Sequence, residues 1–152
     1  MQSNKDLINA AYRSMEAKDM KTLGTYFADD FKFTGATPEP MNRQQFIDLM
    51  QALTTAMPDW KFNESDISET GDTVRMTLRI TGKNTGIVNL PQLGISSAPA
   101  TGKKVALPPE KIEVVIKNGK IASFNVTSPR GGGVPGIMTQ LGIKMPVSTG
   151  AR

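Results

Sequence analysis

One stretch of alternating residues, from Thr73 to Gly86, constrains the fold more than any other part of the chain. Apolar and polar side chains alternate strictly through residues 74–81, with the period of two that is typical of a strand lying on a core. The stretch ends in Gly-Lys-Asn-Thr-Gly, where two glycines and an asparagine permit the positive φ angles of a turn or bulge. We therefore expect a central strand whose apolar face lies on the core.

Three amphipathic helices are predicted before this strand. The first covers residues 4–17, and Asp19 caps a shorter second helix. The third begins at Asn42, has Gln45 in the capping-box position and ends before Pro58. The N-terminal third of the chain is thus predicted to be mainly helical.

The rest of the chain predicts strands joined by hairpins. Besides the alternating stretch, the predicted strands cover residues 31–34, 60–67, 105–117 and 120–127. Asn118-Gly119 is a strong signal for a type I′ hairpin turn. Residues 87–100, broken by proline and serine, are predicted as a loop that covers a cavity mouth or packs against a second subunit. Helices followed by an antiparallel sheet predict an α+β fold with the helices on one face of a curved sheet.

The C-terminal part completes a single predicted domain. A chain of 152 residues fits one domain, which we place at residues 1–146. A flexible triple glycine, residues 131–133, precedes a short helical turn at 136–141. Residues 147–152 are predicted to form a flexible tail.

Two missing residue types limit the chemistry. The chain has no cysteine, which excludes disulfides, thiolate catalysis and cysteine-based zinc or iron-sulfur sites. It also has no histidine, the commonest metal ligand and the side chain best suited to proton transfer near neutral pH. Acid/base chemistry must therefore use Asp, Glu, Lys or Tyr, and we expect neither a metal nor a cofactor.

Charge and hydropathy argue against two classes of partner. The net charge of +4 comes from scattered lysines and arginines, without a basic run that alternates with aromatics, so we expect no nucleic acid partner. No apolar run approaches the roughly 20 residues that a membrane span needs, and no signal sequence opens the chain. We expect a soluble, cytoplasmic protein with no membrane partner.

Several short motifs, in order along the chain, resemble those of one known family. They are Ala-Met-Pro-Asp-Trp at 56–60, the stretch 74–86, Pro-Ala-Thr-Gly-Lys-Lys-Val at 99–105, Asn-Gly-Lys-Ile at 118–121 and Gln-Leu-Gly at 140–142. Together they resemble the SnoaL-like polyketide cyclases, of the NTF2-like (ketosteroid isomerase-like) superfamily, over roughly residues 5–142. The resemblance implies a cone of sheet closed by helices, an apolar cavity inside the cone, and a homodimer.

The chain departs from this family at two functional positions. In the family, an aspartate near the end of the last strand does acid/base work in an aldol ring closure, and a histidine commonly lies in a Gly-Thr-His-x-Gly turn. Here Asn84 occupies the histidine position, and the last strand and its end, residues 124–130, contain no acid. Amides can donate and accept hydrogen bonds, but they are not bases near neutral pH.

Three other residues are candidates for the missing catalytic groups. Glu110 or Glu113 could serve as the base if one of them faces the cavity, although pairing with Arg75 or Arg79 across the sheet is an alternative for either. Tyr12 lies on the buried stripe of the first helix, where the related isomerases often place a phenol. It could donate a hydrogen bond to an oxyanion or simply pack in the core.

The cavity is predicted to have apolar walls and one polar end. The candidate wall residues are Phe31, Phe33, Met50, Trp60 and Phe124, for which ordinary core packing is the alternative. The candidate polar end consists of Asn84, Asn125 and Tyr12.

Two functions remain open from the sequence. The first is binding of a small, largely apolar carbonyl compound, polyketide-like or steroid-like, with cyclisation or isomerisation by acid/base catalysis. The alternative is a noncatalytic ligand-binding or dimerisation module, whose cavity in the scaffold case is filled by its own side chains. A cavity of roughly 300 Å³ or more with converging polar groups would favour ligand binding.

Overall fold

The computed structural model of the chain describes residues 3–144. The predicted tail at 147–152 and the outer limits of the predicted domain lie outside these residues. Within these residues there are four α-helices: α1 (Asn4–Glu16), α2 (Met20–Gly24), α3 (Arg43–Ala56) and α4 (Gly133–Leu141). No helix among the described residues is long and apolar enough to cross a membrane.

In the described part of the chain, ten strands form one large sheet and two small ones. They are β1 (Phe27–Thr34), β2 (Met41–Asn42), β3 (Ser65–Thr70), β4 (Thr73–Leu78), β5 (Thr81–Lys83), β6 (Val88–Leu90), β7 (Ile95–Ala98), β8 (Lys104–Ala106), β9 (Glu110–Lys117) and β10 (Lys120–Thr127). The large sheet has the order β2-β1-β10-β9-β4-β3, in which only β1 and β10 are parallel. The predicted α+β fold is therefore confirmed.

The helix starts follow local capping chemistry. The side chain of Ser3 accepts a hydrogen bond from the Asp6 N–H at the start of α1, and Asp19 caps α2 in the same way. At α3, Asn42 and Gln45 form both hydrogen bonds of the predicted capping box. These side chains satisfy N–H groups that have no partner within the helix.

The alternating stretch is two strands rather than one. β4 pairs with β9 in the large sheet, whereas β5 pairs with β8 in a separate ribbon. Between them the Arg79 N–H donates to the Phe62 carbonyl, and the Leu107 N–H donates to the Ile80 carbonyl. The opposite segment is interrupted at the same level, between β8 and β9, by prolines 108 and 109. Proline has no backbone N–H to donate to a β-ladder. Both chains therefore leave the large sheet together.

The segment predicted as a loop at 87–100 contains a small hairpin. β6 and β7 pair around a 3-10 turn at Pro91–Leu93, and Val88, Leu90 and Ile95 are buried. The hairpin packs against α3 and contributes no side chain to the cavity that lies between the helices and the large sheet. The expectation that this segment covers a cavity mouth is thus corrected, while its contact with a second subunit stays a prediction.

The core lies between the helices and the inner face of the large sheet. Four phenylalanines form its aromatic centre, with ring centroids 4.3 to 5.7 Å apart: Phe27, Phe31, Phe46 and Phe124. Strand β10 contributes Phe124 from the middle of the sheet, while α3 contributes Phe46 from above. This packing fixes α3 over the sheet and leaves a small space beside it.

Candidate functional site

An internal cavity of about 60 Å³ lies between the helices and the sheet. It is lined by α1, α3, α4, the inner faces of β1, β4, β9 and β10, and the chain between them. Most lining side chains are apolar. Three carry polar atoms: Tyr12, Trp60 and Glu110. Any recognition of a polar group inside the cavity depends on these three.

Glu110 is the acidic residue of the cavity and opens strand β9. The residue is 2 % exposed, and both hydrogen bonds that its side chain accepts reach the same carboxylate oxygen. The Ser128 hydroxyl donates to Oε2 at 2.5 Å, and the Gly133 N–H donates to Oε2 at 3.0 Å. Its other oxygen, Oε1, accepts no hydrogen bond from the described residues. Glu110 thus has one anchored oxygen and one oxygen available to a partner.

The same carboxylate caps helix α4. Gly133 is the first residue of α4, and the preceding residue, Gly132, has no side chain to cap it. A carboxylate at a helix N-terminus satisfies an unpaired N–H and interacts favourably with the helix dipole. The position of Glu110 is therefore set by both the sheet and the C-terminal helix.

Glu113 lies on the opposite face of the sheet from the cavity. It stands directly across from Arg75, whose guanidinium nitrogens lie 2.9 and 3.1 Å from Glu113 Oε2. Because side chains alternate along a strand, residues three apart point to opposite faces. The structure therefore places only one of the two candidate bases in the cavity, and Glu113 has the cross-strand pairing that the sequence left as an alternative.

Tyr12 contributes a phenol that stays protonated. Its ring packs against those of Phe62 and Phe124, with centroids 4.6 and 6.0 Å away. Burial raises its pKa far above the ordinary value, and the nearby Glu64 carboxylate raises it further, while Arg13 lowers it. The hydroxyl is buried without a hydrogen-bond partner among the described residues. Tyr12 can thus donate a hydrogen bond at neutral pH but cannot act as a base there.

Trp60 contributes a second unpartnered donor. Its backbone N–H donates to the Met57 carbonyl just after α3, which holds the indole beside the cavity. Its ring meets Phe62 edge-on at 5.7 Å, and its Nε1 is buried without a partner within residues 3–144. A buried donor without a partner costs about 1–3 kcal/mol. The sequence pattern indicated only a wall role for Trp60, although an indole N–H usually finds a partner when it is buried.

The predicted apolar wall is partly found at the cavity. Phe33, Met50 and Phe124 line it, whereas Phe31 lies behind them and stacks on Phe27. Lining residues that sequence reasoning missed include Met15, Phe46, Phe62, Leu107 and Ile137. Of these, Met15 and Phe46 lie on apolar helix stripes that the sequence does show, but only the tertiary packing separates a cavity wall from ordinary core.

Asn84 lies outside the cavity lining. Its buried side chain donates to the carbonyls of Ala56 and Gly86 and accepts from both the N–H and the hydroxyl of Thr101. These four bonds use both N–H donors and both acceptor lone pairs of the amide side chain. Asn84 therefore ties the end of α3 to two turns and has no free group for a ligand in the cavity.

Asn125 lies on the outer face of the sheet. Its neighbours Phe124 and Val126 both line the cavity, while the amide accepts from the Thr34 hydroxyl at 2.9 Å and donates to Ser123. The polar side chains among the lining residues are thus Tyr12, Trp60 and Glu110 rather than the two candidate asparagines.

The described residues bring together no group of three or more acidic side chains that could hold a metal ion. The chemistry that the arrangement can support is that of one carboxylate and two neutral donors in an apolar space. A carboxylate can remove a proton, and the donors can stabilise negative charge that develops on an oxygen.

Comparison with known proteins gives the same fold. A model of the family described as SnoaL-like domain matches residues 8–124, whereas a search of curated proteins gave no match. A protein from Jannaschia sp. CCS1 assigned as a SnoaL-like polyketide cyclase has a TM-score of 0.70 and 17 % identity, over 91 % of this chain and 90 % of that one.

Two further structures are similar over most of their length. IdmH from Streptomyces antibioticus, assigned as a polyketide cyclase, has a TM-score of 0.68 and 21 % identity, over 91 % of this chain and 98 % of its own. A protein with a ketosteroid isomerase-like fold from Catenulispora acidiphila, in complex with trimethylamine, has a TM-score of 0.67 and 15 % identity. The match covers 93 % of this chain and 96 % of that one.

Proposed function

The chain belongs to the family of SnoaL-like domains, and from this premise we propose that its cavity binds a small, largely apolar carbonyl compound, with Glu110 as a base. One observation carries the proposal. Glu110, a buried carboxylate with one oxygen that accepts no hydrogen bond from the described residues, lines an apolar cavity together with Tyr12 and Trp60. The resemblance to SnoaL-like cyclases further supports a polyketide-like or steroid-like compound and a homodimer.

The proposed reaction begins with proton transfer to Glu110. The free oxygen of the carboxylate takes a proton from the carbon next to the carbonyl, and the C–H electron pair moves into the enolate. The Tyr12 hydroxyl donates to the oxygen on which negative charge develops. In an isomerisation, Glu110 returns the proton to another carbon. In a cyclisation, the enolate carbon bonds to a second carbonyl carbon, and that oxygen takes the proton.

The Glu110 carboxylate is the group whose removal tests this reaction. We expect Glu110→Gln to slow proton abstraction by about two to four orders of magnitude, because the amide is similar in shape but is not a base. The measurement is deuterium incorporation next to the carbonyl of cyclohexanone in D2O, followed by NMR.

A matched control lies on the same strand. Glu113→Gln also removes one carboxylate from β9, but on the outer face, so exchange should continue at the unaltered rate. Equal rates in Glu110→Gln and the unaltered protein would remove Glu110 as the base.

A second candidate function rests on the size of the cavity. Pockets for drug-sized ligands usually measure about 300–1,000 Å³, well above the 60 Å³ enclosed here. This favours a noncatalytic module whose side chains fill most of the space. The two candidates predict different responses of the melting temperature to a ligand that enters the cavity.

A further inference from the structure

Helix α4 forms one wall of the cavity without belonging to the sheet. Its residues Gly133, Val134 and Ile137 line the space, and the chain enters the helix through three glycines, residues 131–133. Gly131 and Gly133 have φ angles of +86° and +67°, in the left-handed region that glycine adopts most readily. Backbone without Cβ atoms can change these angles at low cost. The entry to α4 is therefore suited to act as a hinge.

Two backbone hydrogen bonds hold α4 at this hinge. The Gly133 N–H donates to Glu110 Oε2 at 3.0 Å, and the Val134 N–H donates to the Ala36 carbonyl at 2.8 Å. Both donors belong to the first two residues of the helix, directly beside the glycines. These bonds fix one end of α4 as a pivot, about which the rest of the helix can turn.

The far end of α4 is fastened by one side chain. Gln140 accepts from the Ala106 N–H and donates to the Ala106 carbonyl, each at 2.9 Å. The amide of Gln140 thus takes the place of a neighbouring strand beside β8. Both hydrogen bonds lie at exposed positions, where water can replace either partner, so the net contribution of each to stability is modest. This pair of bonds has the properties of a latch that opens reversibly.

The other walls of the cavity are held more firmly. Strands β1, β4, β9 and β10 each pair with a neighbour on both sides. Helix α3 has a capping box and carries Phe46 into the aromatic centre of the core. Helix α1 is joined to the segment after Trp60 by the ion pair of Arg13 with Glu64. Helix α4 contains no charged residue that could form such a pair.

We propose that α4 is the gate of the cavity, which swings about residues 131–133 when Gln140 releases Ala106. This inference goes beyond the proposed reaction, because it concerns how any compound reaches the space. A cavity of about 60 Å³ cannot admit a ligand of the proposed kind unless a wall moves. Opening also exposes Met138 and Leu141, which are buried when α4 is closed, so the closed form stays predominant.

The absence of cysteine lets one introduced thiol report the opening. In Met50→Cys, the thiol replaces a buried side chain of α3 that lines the cavity, so methyl methanethiosulfonate modifies it only when the cavity opens. We expect Gln140→Ala to raise the labelling rate in this background about three- to tenfold, because loss of the latch increases the open fraction. Gln51→Ala, which removes an exposed amide of α3 that makes no hydrogen bond within residues 3–144, is the matched control and should leave the rate unaltered.

Two further thiol positions separate the gate from other kinds of opening. Met15→Cys places the thiol on α1, at another wall of the same cavity, where Gln140→Ala should accelerate labelling by the same factor. Val114→Cys places it on β9, buried and outside the cavity lining, where labelling requires unfolding of the sheet and should not change. Equal acceleration at Val114 would mean a general loss of stability and would overturn the gate.

The result for the gate is independent of the proposed reaction, since the labelling experiment contains no ketone. Labelling at positions 15 and 50 that Gln140→Ala leaves unaltered overturns the gate, even if Glu110-dependent proton exchange is observed. Conversely, acceleration at both positions supports the gate, and it does so equally if the unaltered protein shows no proton exchange and the reaction is rejected.

Discussion

At the scale of single residues, Tyr12 links the stability of the fold to alkaline pH. Its pKa in the folded protein is raised above the ordinary 10.0, so the folded state favours the protonated phenol. The contribution of the protonated phenol to the free energy of unfolding is fully present below about pH 10. It is lost as the pH rises above that value, because the phenol of the unfolded chain releases its proton first. We expect the free energy of unfolding to fall by up to about 1.4 kcal/mol per pH unit from this group.

The measurement is urea unfolding at several values between about pH 9 and pH 11, with Tyr12→Phe as the control. Other titrating groups affect both proteins, so the difference between their slopes isolates the phenol. Parallel slopes would contradict the burial of Tyr12 as a protonated group.

Asn84 and Asn125 differ in what they contribute to stability. Asn84→Ala leaves two carbonyls and the Thr101 N–H without their side-chain partner in a buried setting. We expect the free energy of unfolding to fall by at least about 2 kcal/mol. Asn125→Ala, on the half-exposed outer face, should cost less than about 1 kcal/mol. Urea unfolding of both variants tests this, and similar losses would show that Asn84 does not hold the turns together.

Alternation along strands explains why the candidate site was only partly predictable. Phe124 and Asn125 are adjacent on β10, so they cannot both face the cavity. The sequence offered both as ligand contacts, and one of the two had to lie on the outer face. Which of them points inward depends on how β10 lies in the sheet, and no local pattern fixes that. Likewise, the sequence cannot show that the Trp60 indole N–H lacks a hydrogen-bond partner among the described residues, because this depends on the side chains that the fold packs around it.

At the scale of secondary-structure elements, Glu110 holds helix α4 in place. Glu110→Ala removes the acceptor of both the Gly133 N–H and the Ser128 hydroxyl. Loss of a helix cap costs about 1 kcal/mol, which corresponds to roughly fivefold more frequent local opening. We therefore expect faster hydrogen exchange in α4 and unchanged exchange in α3, measured by mass spectrometry.

Glu113→Ala is the matched control, since it removes a carboxylate from β9 without touching α4. If α4 exchanges at the same rate in both variants, Glu110 does not cap the helix. An effect in Glu110→Ala would also separate this structural role from proton transfer, because Glu110→Gln keeps an oxygen that can accept both hydrogen bonds.

Elements with strong local signals were the predictable ones. The capping box of α3 and the Asn118-Gly119 turn each act over a few residues, so the sequence displays them directly. The parallel pairing of β1 with β10 joins segments about ninety residues apart and has no local signal. Strand β1 also begins at Phe27 rather than Phe31, because pairing with β10 extends it into residues that by themselves resemble a helix end.

At the scale of the whole molecule, the fold class was predictable and the size of the cavity was not. The order of helices and strands determines the layers, whereas a cavity of about 60 Å³ is the small remainder left by many side chains packed together. The methionines at 15 and 50 line this space, and their flexible side chains can move to admit a guest. The cavity can therefore be either a binding pocket or a nearly filled core.

Enlarging the cavity distinguishes these two possibilities. Met50→Ala should lower the free energy of unfolding by about 2–5 kcal/mol and leave a larger space. In that variant, we expect cyclohexanone to raise the melting temperature by mass action, since it fills the new volume in the folded state only. The decisive comparison is the unaltered protein. If the cavity is a binding pocket, cyclohexanone raises its melting temperature as well, whereas in a filled core only the Met50→Ala variant responds.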